Sequence, residues 1–74
     1  MKLSEIKDNT YVFVKGMTGG RRFIERLNNL GIITGQKILI KKNDKKGPVI
    51  INLFDRNVIL GQGMSDKIIV TSEK

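Results

Sequence analysis

Short apolar segments alternate with turn-forming residues along this chain. Enrichment of these segments in β-branched and aromatic residues predicts five strands: residues 10–15, 49–54, 58–60 and 68–71, and one within 34–43. Because side chains alternate along a strand, one of two pairs in the first strand faces the core: Tyr11 with Phe13, or Val12 with Val14. Five short strands, joined mostly by tight turns, favour a small antiparallel barrel or sandwich.

A helical repeat of apolar residues lies between the first two strands and predicts a helix over Arg21–Leu30. The spacing i, i+1, i+4, i+7 places four side chains on one face: Phe23, Ile24, Leu27 and Leu30. Gly31 follows where a helix favours a left-handed C-terminal residue. On the polar side, Arg21 and Glu25 are expected to pair across one turn.

Polar and glycine residues mark the connections. Ser4 is a candidate N-cap of a short helical turn before the first strand, and Asp55 and Asn57 suit a tight turn. Residues 61–67 form either an irregular link or a single helical turn. Gly19 and Gly20 are expected to turn the chain from strand into helix, with an anion site at the helix start as the alternative.

Several strands carry consecutive aliphatic residues, which predicts apolar side chains on both faces of the sheet. Those that do not face the core must lie under the helix or form an exposed apolar patch. Such a patch would mark a contact surface.

The length of the chain indicates the number of domains, and its charge indicates the class of partner. The 74 residues predict one domain spanning 1–74, and 39% hydrophobic with 28% charged residues is typical of a folded chain. Fourteen Lys and Arg against seven Asp and Glu give a net charge of +7. Such a surface attracts nucleic acid, an anionic membrane face or an acidic partner, although lysines that only keep the domain soluble give the same balance.

The chemical repertoire of the chain is narrow. Without Cys or His it has no disulfide and no zinc site of thiolates or imidazoles. No paired-carboxylate spacing, Walker motif or dinucleotide fingerprint is present, so we expect neither an enzyme nor a resident cofactor. Weak or shared binding of a divalent cation by Asp and Glu stays open. No apolar run is long enough to span a bilayer or to form a signal peptide, and we expect a cytoplasmic protein.

A nucleic-acid-binding barrel is the alternative function. Residues 41–46, KKNDKK, are the densest basic run and lie at a predicted hairpin tip, where they are either a solvated loop or contacts to phosphate. Single-strand binders add exposed aromatic side chains. We expect the core to need most of the four aromatics present, which are Tyr11, Phe13, Phe23 and Phe54, so this signal is weak.

The order and spacing of these motifs resemble the FeoA family, the ferrous iron transport protein A domains. The ending of that family's helix, L-x-x-L-G-(I/L)-x-x-G, is matched by Leu27, Leu30, Gly31, Ile32 and Gly35. The later family pattern is similar to Gly47-Pro48-Val49 followed by Val58, Leu60, Gly61, Met64, Ile68 and Val70. Two positions depart from it: Ser65 replaces the usual alanine, and Gln62 a common arginine.

The resemblance implies an SH3-like, mainly β, five-stranded barrel with one short helix after the first strand. It also implies a cytoplasmic accessory role in ferrous iron uptake, in a family associated with transition-metal handling. The implied partner is FeoB, a membrane ferrous iron transporter with a cytoplasmic G-protein domain. On this interpretation five basic residues are candidates for contact with the partner: Arg21, Arg22 and Arg26 on the helix, with Lys41 and Lys42 on the hairpin.

Overall fold

The computed structural model describes residues 1–73 and contains five strands and two α-helices. The strands are β1 (Thr10–Met17), β2 (Lys37–Asn43), β3 (Val49–Leu53), β4 (Arg56–Leu60) and β5 (Ile68–Thr71). Helix α1 (Arg21–Asn29) joins β1 to β2, and helix α2 (Gln62–Ser65) joins β4 to β5. A single 3-10 turn over Leu3–Glu5 precedes β1.

The strands form one antiparallel sheet in the order β4-β3-β2-β1-β5. The register shifts at Lys15 in β1 and at Lys41 in β2, where each strand has one extra residue relative to its partner. Such β-bulges bend a strand and increase its twist, which lets a small sheet curl around its own core. The predicted mainly β fold, with one short helix after the first strand, is confirmed.

The core is aliphatic and lies on one side of the sheet. Of the two candidate pairs in β1, Val12 and Val14 face inward. They pack with residues of every other strand and of α1, including Ile38, Ile40, Ile51, Leu60, Ile68 and Leu27. The expectation that the core needs most of the aromatics is wrong, because Tyr11 is 58% exposed and Phe54 66% exposed. Aliphatic side chains from β1–β5 fill this small interior without them.

The β3–β4 connection differs from its prediction. Phe54 and Asp55 form the turn with φ values of 53° and 59°, and Asn57 lies inside β4. Two consecutive left-handed residues are typical of a type I′ hairpin, whose twist matches that of the paired strands. β3 therefore ends at Leu53 and β4 begins at Arg56. The Asn57 carboxamide instead accepts a hydrogen bond from Asn52 at 3.1 Å.

The 3-10 turn before β1 and helix α2 each contain a serine whose hydroxyl is hydrogen-bonded but does not cap the helix. Ser4 is not the N-cap: Lys2 precedes the 3-10 turn, and the Ser4 hydroxyl donates to the Asp66 carboxylate at 2.5 Å. A tertiary partner thus replaces the local one. Residues 61–67 adopt the single-turn alternative as α2, where the fully buried Ser65 donates to the Gly61 carbonyl at 3.0 Å. The hydroxyl that replaces the usual alanine methyl is therefore satisfied.

Candidate functional site

The two glycines before α1 make the turn that the sequence predicted. Gly19 has φ 118°, and a Cβ there would lie 3.0 Å from the Phe23 ring. Gly20 is the N-cap in extended conformation, without a side chain to cap the helix. The Phe23 ring itself lies under the Lys67 ammonium, 5.0 Å from Nζ to the ring centroid. The start of α1 is therefore an exposed turn in which Gly19 packs against Phe23, with Lys67, Arg21 and Arg22 nearby.

The three predicted arginines lie exposed on α1. Arg21 and Arg22 are in its first turn and Arg26 in its last. Among residues 1–73 the one ion pair within 4.0 Å joins Lys42 to Asp44, so the expected pair between Arg21 and Glu25 does not form. The guanidinium groups of α1 consequently face solvent without a carboxylate from the described chain.

The end of α1 is fixed by the β3–β4 turn. Gly31 has φ 97°, and the Ile32 N–H donates to the Leu27 carbonyl at 3.0 Å, which confirms the predicted glycine C-terminus. The Arg56 guanidinium donates to the Leu30 carbonyl at 2.5 Å, and the Phe54 ring packs against Gly31. The arginines are therefore presented by a helix held at both ends.

The predicted lysines are presented by the bulge in β2. Lys41 and Lys42 are consecutive and both exposed, between the buried Ile40 and the half-buried Asn43. Lys42 Nζ lies 3.7 Å from Asp44 Oδ2, with both side chains more than half exposed. Such a pair is worth about 0–1 kcal/mol, so it leaves Lys42 free to change partner.

A side-chain network holds this hairpin to the rest of the fold. The Asn43 carboxamide donates to the Ser4 and Ile6 carbonyls at 2.8 and 2.9 Å. Gln62 Nε2 donates to Asn43 Oδ1 at 3.2 Å and to the Gly47 carbonyl at 2.8 Å. The residue that departs from the common arginine therefore has an internal role in this chain. Its departure from the family pattern is visible in the sequence, but that role is not.

The two groups of predicted residues do not form one patch. Helix α1 follows the end of β1 and precedes the start of β2, whereas Lys41 and Lys42 lie near the end of β2. The arginines and the lysines are thus at opposite ends of that strand.

A cleft of about 410 Å³ lies between β1, the α1–β2 connection and the end of β5. It is lined by Phe13, Val14, Lys15, Thr34, Gly35, Thr71 and Glu73. The cleft has no signal in the sequence, because its walls come from three distant parts of the chain and carry no shared motif.

Comparison with known proteins identifies the family of the chain. A family profile described as the FeoA domain matches residues 1–72. The chain belongs to the FeoA family. It is 35% identical over 68 residues to a Methanocaldococcus jannaschii protein named "Putative Fe(2+) transport protein A", covering 92% of this chain and 82% of that protein.

Two solved structures show that this FeoA domain has the SH3-like fold. A crystal structure described as an iron uptake regulatory protein (FeoA) superposes with a TM-score of 0.87 at 24% identity, covering 96% of this chain and 93% of that one. The FeoA of Stenotrophomonas maltophilia, crystallised with zinc and described as a prokaryotic SH3 domain protein, has a TM-score of 0.83 at 18% identity. That alignment covers 97% of this chain and 91% of the other. Family membership makes the chain a small accessory protein of ferrous iron transport.

Two features are missing from the part of this FeoA domain that the structure describes, a metal-binding cluster and a membrane-spanning helix. Residues 1–73 contain no cluster of three or more His, Cys, Asp or Glu side chains that could hold a metal ion. The longest helix within residues 1–73, α1, has nine residues, so no described helix can span a bilayer.

Proposed function

We propose that this FeoA domain is a cytoplasmic accessory protein that docks on the cytoplasmic G-protein domain of a FeoB-type ferrous iron transporter. The observation that carries the proposal is the family match over residues 1–72. The contact biases the nucleotide or transport cycle of the partner, and the domain itself catalyses no reaction. Ferrous iron is the cargo of the transporter in this scheme.

The exposed cations support docking by charge. Arg22 and Arg26 are one turn apart on the same side of α1, and the turn at Gly31 holds the end of that helix. Guanidinium groups bind carboxylates through two parallel hydrogen bonds, which makes arginine the usual choice for ion pairs across interfaces. We assign the contact to Arg21, Arg22 and Arg26, with Lys41 and Lys42 as a second basic group.

The donor chemistry of the chain favours contact over metal handling. A chain without Cys or His lacks the thiolate and imidazole ligands that hold transition metals tightly. We therefore propose that the domain has no resident metal cofactor of its own, and that any binding of a divalent cation by its carboxylates is weak.

An amide chemical-shift titration tests the docking proposal. The isotope-labelled domain is titrated with the soluble cytoplasmic domain of the transporter from the same organism. We expect saturating shifts on one face that include α1 or residues 41–46. A flat titration would contradict docking on that domain.

A charge reversal on α1 tests the assignment of the arginines. The variant Arg22→Glu/Arg26→Glu should weaken docking about tenfold, which corresponds to about 1.4 kcal/mol. Lys7→Glu/Lys15→Glu is the matched control, because it changes the net charge equally at exposed positions outside the assigned surface. Unchanged affinity in the arginine variant, or equal losses in both variants, would contradict the assignment.

One observation favours the nucleic-acid alternative. Tyr11 and Phe54 are exposed, although the sequence led us to expect that the core needs most of the four aromatics. Single-strand binders stack bases on exposed aromatic rings in basic grooves, and Tyr11 is such a ring beside Lys37. Titration with a single-stranded RNA oligonucleotide at several salt concentrations decides this alternative: tight binding with a steep loss of affinity at higher salt would support it. Tyr11→Ser should then weaken the binding.

A further inference from the structure

The side of the sheet opposite the core carries a line of apolar side chains across four strands. Tyr11, Leu39, Ile50 and Ile59 all lie at outward positions of β1 to β4, and we call these four the outer sheet stripe. Tyr11 pairs directly with Leu39, and Ile50 with Ile59. Leu39 pairs with Asn52, two residues from Ile50, so the two halves of the stripe meet diagonally. Ile59 is 67% exposed, which makes it the most exposed of the four.

The charged side chains at outward positions of β1 to β4 are all cations, while Asp44 lies 3.7 Å from Lys42 just beyond β2. Lys37 precedes Leu39 on β2, and Lys41 and Lys42 follow it. The ammonium of Lys37 lies 4.6 Å above the Tyr11 ring, beside one end of the stripe. None of the outward positions on these strands (11, 13, 37, 39, 41, 42, 50, 52, 57 and 59) is acidic. The stripe is therefore apolar along its length and has a positive rim at β2, formed by Lys37 on one side of Leu39 and by Lys41 and Lys42 on the other. Its outward neighbours on β3 and β4, Asn52 and Asn57, are neutral.

We infer that the outer sheet stripe is a docking surface for an acidic amphipathic helix of a partner protein. The stripe crosses three inter-strand spacings, or about 14 Å. A helix of about ten residues has the same length, and its apolar residues at i, i+3, i+4 and i+7 form a line of matching width. Carboxylates on both sides of that line would meet Lys37 at one flank and Lys41 with Lys42 at the other.

Two other occupants fit the stripe less well. A second copy of this chain would bring the same lysines and another net charge of +7 against this rim. Nucleic acid binds such sheets by stacking bases on aromatic rings, whereas three of the four stripe residues are aliphatic and Lys37 already lies over the Tyr11 ring. An acidic helix satisfies both the aliphatic line and the positive rim.

The inference goes beyond the proposed function, because it identifies a partner by its chemistry on a surface that excludes α1, although Lys41 and Lys42 belong to both assigned surfaces. The probe is a designed peptide of about 16 residues with leucines at i, i+3, i+4 and i+7 and glutamates on both flanks, long enough to hold a helix. A peptide of the same composition in scrambled order is its control. We expect saturating amide shifts at outward residues of β1 to β4 with the designed peptide only.

Matched variants distinguish specific binding at the stripe from non-specific hydrophobic binding. Ile59→Thr keeps the β-branched shape that suits a strand and should weaken peptide binding about tenfold. Ile33→Thr is the control, because Ile33 is also exposed (47%) but lies in the α1–β2 connection, and it should have no effect. Lys41→Glu/Lys42→Glu should weaken binding and reduce its dependence on salt. Both isoleucines are exposed, so the variants are expected to fold, and Tyr11→Thr gives an independent second test.

Four outcomes would overturn the inference. They are equal binding of the scrambled peptide, equal effects of the two isoleucine variants, shifts confined to α1, or tighter binding of a single-stranded RNA oligonucleotide at the same residues. Arg22→Glu/Arg26→Glu should leave peptide binding unchanged. Because that variant affects only the contact assigned to α1, it allows the inference about the stripe and the proposed transporter contact to be tested separately.

Discussion

Arg21 and Arg22 lie where an α-helix least favours positive charge. The free N–H groups of the first turn carry the positive end of the helix dipole, and α1 has no acidic residue there. Arg22 also faces Arg26 one turn later, and like charges at that spacing repel. These residues therefore cost the isolated domain stability, which is consistent with a role in binding a partner.

Replacing Arg22 by Glu should raise the free energy of unfolding. The exchange places an anion at the positive end of the dipole, worth about 0.3–1 kcal/mol, and creates an attractive pair with Arg26 worth about 0.2–0.5 kcal/mol. Urea denaturation of the single variant measures the gain. Arg26→Glu is the comparison: in the last turn the dipole favours a cation, so the same exchange should bring a smaller gain or none. A loss of stability in Arg22→Glu would contradict the dipole argument.

At the scale of elements, the end of α1 and the β3–β4 turn depend on one glycine. Gly31 has φ 97°, and a Cβ there would lie 3.1 Å from Phe54 Cε2 and 3.2 Å from Leu53 Cδ1. The backbone conformation and the space beside it both require a residue without a side chain. The helix can then end where the turn packs against it.

Gly31→Ala should therefore destabilise the domain by about 1–2 kcal/mol from the left-handed backbone alone, with crowding of Phe54 in addition. Gly63→Ala is the matched control. Gly63 lies in α2 without a left-handed φ, and nothing stands within 4 Å of an added Cβ. Alanine there should stabilise by about 0.5–1 kcal/mol. Chemical denaturation of both variants checks the opposite signs, and equal effects would contradict the packing argument.

The elements themselves were predictable where periodicity and turn chemistry agree. The helix over residues 21–29, its glycine end and the five strands follow from local pattern, and local pattern is what determines them. The β3–β4 turn was predicted at Asp55, but its first residue was not predictable, because Phe54 is a poor candidate for a left-handed position and only the pairing of β3 with β4 requires it there. The hydroxyl of Ser4 likewise takes a partner 62 residues away.

The candidate site was predictable only as a list of residues. Charge and sequence position identified the arginines and lysines as exposed. Their separation to opposite ends of β2 depends on sheet topology, and the bulge at Lys41 has no local signal. The sequence predicted that an exposed apolar patch could form, but not which residues form the outer sheet stripe, because these depend on the register between the strands.

At the scale of the whole molecule, cations outnumber anions two to one and few of them are paired within the described part of the fold. The net charge is +7, and residues 1–73 contain one ion pair within 4.0 Å. The described chain measures 29 × 27 × 23 Å. At 0.01 M ionic strength the screening length is about 30 Å, so every charge interacts with every other, whereas at 0.15 M it falls to about 8 Å. Mutual repulsion of the cations therefore destabilises the compact state most strongly at low salt.

Raising NaCl from 0.01 to 0.15 M should consequently raise the Tm of the domain. A gain of about 1 kcal/mol would appear as about 4–8 °C for a domain of this size. Lys7→Glu/Lys15→Glu, which lowers the net charge from +7 to +3, should show a smaller rise, because less repulsion is left to screen. Thermal denaturation followed by circular dichroism measures both proteins in the same buffers. A Tm that is constant or falls with salt would mean that local attractions outweigh the repulsion among the cations. The explanation that the basic surfaces lower the stability of the domain in order to bind a partner would then be wrong.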